Sequence, residues 1–135
     1  MIDYDELGKE VNTITERNNG VSGIVIFDTR GETAAKSSVP GADGSVELSG
    51  IESSLAALID IKRAWSGENE TSTVRETLKD FNFLLLGFGA GELIVTFIED
   101  PEEPMTLVFV NLDPAKSGIA RRTARDFTTK VKSLL

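Results

Sequence analysis

Hydrophobic residues recur along the chain with two spacings, one typical of helices and the other of strands. In residues 3–18, apolar side chains stand four and three positions apart, which predicts an amphipathic helix. Residues 21–27 are short and rich in β-branched side chains, which predicts a strand. A tight turn at 28–31 then leads into residues 32–37, so this part of the chain predicts a helix followed by a β-hairpin.

The middle of the chain predicts a long helix and a set of consecutive strands. Residues 47–65 carry apolar side chains over a wide helical face, and several alanines there favour a helix. Further on, three apolar runs separated by short turns predict strands at 81–88, 92–98 and 105–112. These connections are too short for parallel crossovers, so the three strands are expected to form an antiparallel meander.

The C-terminal segment predicts a third helix. Its apolar residues follow a single stripe at spacings of four and three: Ala120, Ala124, Phe127, Val131 and Leu134. Either Asp113-Pro114 or Ser117 could cap its start. The element order predicts one domain over residues 1–135, an α+β sandwich with a five-stranded, mostly antiparallel sheet packed with three helices.

Two segments are more apolar than a small two-layer domain requires. Residues 81–88 place apolar side chains consecutively, whereas a strand with one buried face alternates. Helices could cover both faces of this strand, or the strand could join an interface between chains. The predicted helix at 47–65 is also apolar over more than a narrow stripe. Together the two segments predict a homodimer surface.

Composition excludes several kinds of chemistry. The 135 residues are 40 % hydrophobic and 27 % charged, which is typical of a globular domain. The chain has no cysteine and no histidine, so disulfides, thiolate or imidazole metal ligands and a Ser-His-Asp triad are all excluded. With no nucleophile–base pair in view, we expect that the protein is not an enzyme.

Charge is unevenly distributed. The net charge is −8, but residues 115–135 hold six basic side chains and one acid, a local net charge of +5 that leaves −13 on residues 1–114. An acidic body is a poor binder of nucleic acid and of anionic membranes. The basic segment fits either a solvated helix face or a surface for an acidic partner. No apolar run is long enough to span a bilayer, and we expect a cytoplasmic protein without membrane insertion.

Two polar motifs are candidate sites by composition. The glycines at 87, 89 and 91 lack both the sixth-position glycine of a dinucleotide loop and the Gly-Lys-Ser/Thr of a triphosphate loop, so they predict a hairpin turn. The acidic residues at 99–103 flank a proline, which predicts a solvated hairpin tip with ordinary pKa values. Neither motif predicts a cofactor or a metal site.

Three passages together resemble the Roadblock/dynein light-chain family, whose bacterial and archaeal members regulate small Ras-like GTPases. Residues 20–31 (GVSGIVIFDTRG) resemble the first hairpin of the family. Residues 51–64 resemble its long central helix, and residues 107–122 (LVFVNLDPAKSGIARR) resemble its last strand and the start of its final helix. The resemblance covers nearly the whole chain and specifies architecture better than activity.

The resemblance implies a homodimeric, non-enzymatic scaffold that binds and regulates a small Ras-like GTPase. In the family, central helices pack together and an edge strand pairs with its twin. The residues of this chain that fall in those elements, and are therefore expected at the dimer interface, are Ile51, Leu55, Leu58, Ile59, Lys62, Phe83, Leu84, Leu85 and Leu86. No motif assigns a catalytic finger toward a GTPase; Arg30 and Arg63 are candidates by residue type alone, and we expect both to be ordinary surface charges. A small-molecule-sensing module and a purely structural adaptor remain as alternatives.

Overall fold

The computed structural model describes residues 3–17, 19–28, 30–37, 83–88 and 91–135. They form two helices and five strands, with a short 3-10 turn before the second helix. In chain order the elements are α1 (Tyr4–Glu16), β1 (Gly23–Phe27), β2 (Thr33–Lys36), β3 (Phe83–Phe88), β4 (Gly91–Ile98), β5 (Met105–Asn111), the 3-10 turn (Pro114–Lys116) and α2 (Ser117–Leu134).

The five strands form one sheet in the order β2-β1-β5-β4-β3. Every neighbouring pair is antiparallel, which confirms both the predicted hairpin and the predicted meander. The pairing of β1 with β5, from Gly23 opposite Val110 to Phe27 opposite Thr106, joins the hairpin to the meander. The predicted helix at 47–65 lies outside the described residues.

Local capping explains where α1 begins. The Asp3 carboxylate accepts hydrogen bonds from the backbone N–H groups of Asp5 at 3.0 Å and Glu6 at 3.3 Å, as an N-cap residue does. After the helix, Gly20 adopts a φ of 84°, a left-handed conformation that glycine accepts without strain. A Cβ at that position would lie 2.8 Å from the Lys116 carbonyl oxygen, so the chain needs glycine there for space as well.

Of the two residues predicted as a cap before α2, the structure shows Asp113 in that role. The Asp113 carboxylate accepts a hydrogen bond from the Ala115 N–H at 3.1 Å and so caps the 3-10 turn that leads into the helix. Ser117 is not the cap, since it is already the first helical residue and its hydroxyl binds elsewhere. The Asp-Pro sequence therefore starts the turn, and the turn continues directly into α2.

The two helices pack on the same face of the sheet. Buried Leu7 and Val11 of α1 meet this face beside β1 and β2, while α2 packs on β4 and β5. The stripe on α2 is buried as predicted at Ala120, Ala124, Phe127 and Val131, but Leu134 is 39 % exposed near the helix end. Among the described residues, no helix is both long and apolar enough to cross a bilayer.

The opposite face of the sheet holds a second, smaller apolar cluster. Its buried members share alternate positions on the three central strands: Val25, Phe27, Val95, Phe97, Val108 and Val110. Both described helices pack on the first face. Every residue of β1 and β5 is buried, which explains why apolar residues follow one another in both strands instead of alternating with exposed polar ones.

Candidate functional site

Strand β3 forms one edge of the sheet and exposes large apolar side chains. Phe83 is 45 % exposed, Leu85 36 % and Leu86 37 %, whereas Leu84 is half-buried against the second cluster. The backbone of β3 pairs with β4 along the full length of β3. No strand of the described ranges pairs with the other side of β3. An apolar edge of this kind offers both unpaired backbone groups and a surface that water disfavours.

The register of β3 assigns its side chains to the two faces of the sheet. Side chains that stand opposite each other across a strand pair point to the same face. Phe83 lies opposite Thr96 and Leu85 opposite Ile94, which places both on the face covered by the helices. Leu84 lies opposite Val95 and so points to the other face. The exposed apolar surface of β3 therefore extends over both faces.

Four of the nine residues expected at a dimer interface fall on this strand. Phe83, Leu84, Leu85 and Leu86 stand in sequence on β3, where the structure brings them to the sheet edge. The other five lie outside the described residues: Ile51, Leu55, Leu58, Ile59 and Lys62. Their place at an interface stays a prediction, as does that of the β3 residues.

A buried carboxylate ties β4 to the start of α2. Glu92 is only 8 % exposed, and its Oε1 accepts hydrogen bonds from the Ser117 hydroxyl at 2.7 Å and the Asn111 side-chain amide at 3.4 Å. Its Oε2 accepts one from the Arg121 guanidinium at 3.2 Å. Burial by itself would raise the pKa of Glu92, but these three donors outweigh it and hold that pKa below the ordinary value.

This cluster has the character of a structural anchor. A cavity of about 200 Å³ opens beside it, lined by Gly91, Glu92, Asn111, Pro114 and Ser117. That volume is below the roughly 300–1,000 Å³ of typical small-molecule sites. Sequence analysis missed the cluster because the three donors stand 19 to 29 positions after Glu92 and meet it only when the sheet forms. No local spacing could have signalled it.

The basic side chains of α2 divide between two sides of the helix. On the side toward α1, the Lys130 ammonium binds the Glu10 carboxylate at 2.6 Å. On the opposite side, Arg121 binds Glu92, and the Thr128 hydroxyl lies 2.8 Å from that of Thr96 on β4. Helical spacing places Arg125 and Lys132 on that second side, with Arg121 and Thr128. We call Arg121, Arg125 and Lys132 the basic stripe.

The remaining candidates are engaged within their own loops. The Arg30 guanidinium, 73 % exposed, binds the Asp28 carboxylate at 3.3 Å and that of Glu32 at 2.9 Å, while Arg63 lies outside the described residues. At the acidic tip, the Asp100 carboxylate accepts the N–H groups of Glu102 and Glu103, both at 2.9 Å. Within the described ranges, no group of three or more acidic side chains is arranged to hold a metal ion.

Solved structures similar to this one identify the fold. MglB of Myxococcus xanthus aligns over 98 % of this chain and 92 % of its own, with a TM-score of 0.69 and 12 % identity. The gliding protein MglB of Thermus thermophilus aligns over 97 % and 90 %, with a TM-score of 0.72 and 16 % identity. A Roadblock/LC7 domain from Streptomyces avermitillis aligns over 93 % and 97 %, with a TM-score of 0.62 and 17 % identity.

These likenesses show that the chain has the Roadblock fold, as the three sequence passages predicted. No protein-family model matches the chain. No curated protein matches its sequence.

Proposed function

We propose that this protein is a non-enzymatic homodimer that binds and regulates a small Ras-like GTPase. The observation that carries the proposal is the exposed apolar edge strand β3 within a Roadblock fold. The family that this sequence resembles includes regulators of such GTPases. The proposal includes a cytoplasmic location, as expected from the sequence, and the proposed function uses no cofactor.

The dimer in this proposal forms by pairing β3 with the β3 of a second copy. Two identical antiparallel edge strands can satisfy each other's free N–H and C=O groups and extend the sheet to ten strands. Pairing also places Phe83, Leu85 and Leu86 beside the apolar side chains of the second β3, which covers part of the surface that they expose in a single copy. Fully burying a leucine or phenylalanine side chain contributes about 1.5–3 kcal/mol, so covering part of one contributes less, and a symmetric interface counts each residue twice.

Regulation in this proposal works through contact rather than chemistry. The chain lacks the thiol and imidazole groups that most often act as nucleophile or base. The switch loops of a partner GTPase differ between its nucleotide states. A dimer that binds one of these states more tightly shifts the GTPase toward that state. The expected signature is therefore association that depends on the bound nucleotide.

Two measurements on the full chain test the two parts of the proposal. Sedimentation velocity should give the mass of two copies at micromolar concentration, and a single-copy mass would overturn the dimer. Immobilised protein should retain a Ras-like GTPase from the native lysate more strongly with a GTP analogue than with GDP, or the reverse. Equal recovery in both states would support a passive structural adaptor, and recovery of no GTPase would overturn the GTPase part.

A further inference from the structure

The helix-covered face of the sheet places an exposed apolar strip beside an exposed basic one. Phe83 and Leu85 project on this face at the sheet edge. The basic stripe of α2 faces the same edge, because Arg121 and Thr128 contact β4 and the opposite side of the helix contacts α1. Arg125 and Lys132 are exposed and pair with no carboxylate in the described part of the chain.

Pairing of two β3 strands, as in the proposed dimer, turns this strip into a groove. Antiparallel pairing of identical strands within one sheet places the two-fold axis perpendicular to the sheet, so both α2 helices lie on the same side. Phe83 and Leu85 of both copies then form the floor, and the two basic stripes form the walls. The inference therefore rests on the dimer of the proposed function.

The width of the groove matches one α-helix. Since α2 packs on β4 and β5, three to four strand spacings separate the two α2 axes, about 14–19 Å at 4.8 Å per strand. Packed helices lie roughly 8–10 Å apart, so a helix inserted between two others needs about 16–20 Å between them. An extended peptide would leave the walls without contact.

Charge selects the kind of helix that fits. We propose that the dimer binds one amphipathic helix of a partner protein, with apolar residues on the floor and acidic residues against the basic stripes. The Debye length is about 8 Å at physiological salt, so a bound helix senses mainly the local positive charge. A membrane or a nucleic acid extends beyond the groove, and the net charge of −8 on the whole chain disfavours the approach of such a large polyanion.

Fluorescence anisotropy with designed peptides tests this inference on the full chain. The probe is a labelled helical peptide about as long as the 18-residue α2, with leucines on one side and glutamates on both flanks. We expect saturable binding of one peptide per two chains. A peptide with lysines replacing the glutamates should not bind, and vesicles of phosphatidylserine and phosphatidylcholine should not compete.

A matched pair of variants locates the binding surface. Arg125→Glu combined with Lys132→Glu should weaken peptide binding by at least about tenfold, which corresponds to 1.4 kcal/mol. Arg122→Glu reverses a charge on the solvent side of the same helix and should leave the affinity within about twofold. Circular dichroism of each variant confirms that α2 is intact.

The outcomes separate this inference from the dimer on which it rests. Sedimentation velocity on the same samples reports the mass. A two-copy mass without peptide binding, or equal binding of acidic and basic peptides, would overturn the groove and leave the dimer standing. A single-copy mass would overturn both. Unchanged affinity in the double variant, or binding to vesicles alone, would also refute the groove.

Discussion

The two edges of the sheet are built in opposite ways. Edge strand β2 has four residues, Thr-Ala-Ala-Lys, and exposes Thr33 and Lys36. Its register with β1 shifts between Ile26 and Phe27, an irregularity that bends an edge away from regular pairing. Edge strand β3 has six residues, Phe-Leu-Leu-Leu-Gly-Phe, pairs with β4 without a shift, and exposes apolar side chains.

The difference shows which edge is protected from association and which is open to it. Short length, a lysine and a bulge are the features by which natural proteins prevent edge-to-edge pairing. Strand β2 has all three, and β3 has none of them. A long, regular, apolar edge on a folded chain is unfavourable in water unless another chain covers it. The proposed dimer uses the edge that lacks protection.

The largest expected effect comes from placing a charge on the open edge. Leu85→Lys should shift the dimer toward single copies, since each copy loses at most roughly 1.5 kcal/mol of apolar burial from a side chain that is 36 % exposed before pairing. The two losses together correspond to about a hundredfold weaker association. Sedimentation equilibrium measures this directly. Thr33→Lys is the control, because it places the same charge on β2 and should leave the mass unchanged. The contrast between the two edges is wrong if both variants dissociate or if neither does.

A smaller loss of stability is expected from a substitution at Gly91, the first residue of β4, the strand that pairs with β3. A Cβ at Gly91 would stand 1.9 Å from the Asn111 carbonyl oxygen, so Gly91→Ala requires a backbone shift. We expect a loss of about 1–3 kcal/mol in the free energy of unfolding, measured by urea denaturation at fixed protein concentration. Gly8→Ala is the control, because a Cβ there meets nothing within 4 Å and an alanine should stabilise α1 by about 0.5–1 kcal/mol.

The smallest of the three effects is expected at Glu92, the anchor between β4 and α2. Glu92→Gln should lower the free energy of unfolding by about 1–2 kcal/mol at pH 7, because three donors lose a charged acceptor. The folded-state pKa of Glu92 lies below its ordinary value, so the carboxylate stabilises the fold above about pH 4.3 and loses that contribution as the pH falls through the folded pKa.

Denaturation of both proteins from pH 7 downward checks the sign of this linkage. The stability difference between wild type and Glu92→Gln should be greatest near neutrality and shrink in acid, since glutamine does not titrate. A difference that stays constant or grows as the pH falls would show that Glu92 does not act through its charge.

Sequence analysis predicted each described strand to within two residues, because four of them carry local patterns of apolar and β-branched side chains and β2 follows a recognisable tight turn. It also named the β3 residues that the structure leaves exposed, since an unbroken apolar run is visible without any tertiary information. It did not decide between two caps for α2. The choice of Asp113 depended on a distant contact, since the Ser117 hydroxyl donates its hydrogen bond to Glu92, 25 positions earlier. Leu134 fits the apolar stripe of α2 but lies near the end of the helix, where the sheet no longer covers it.

The sequence by itself determined the elements, their antiparallel connections and the apolar character of β3, since these follow from periodicity and turn chemistry within a few residues. Only the tertiary structure decided that β3 lies at the edge while β1 and β5 lie inside the sheet, although all three consist mainly of apolar residues. It alone also placed the Glu92 anchor and the basic stripe beside that edge. Strand order depends on contacts between distant parts of the chain, and no local pattern encodes them.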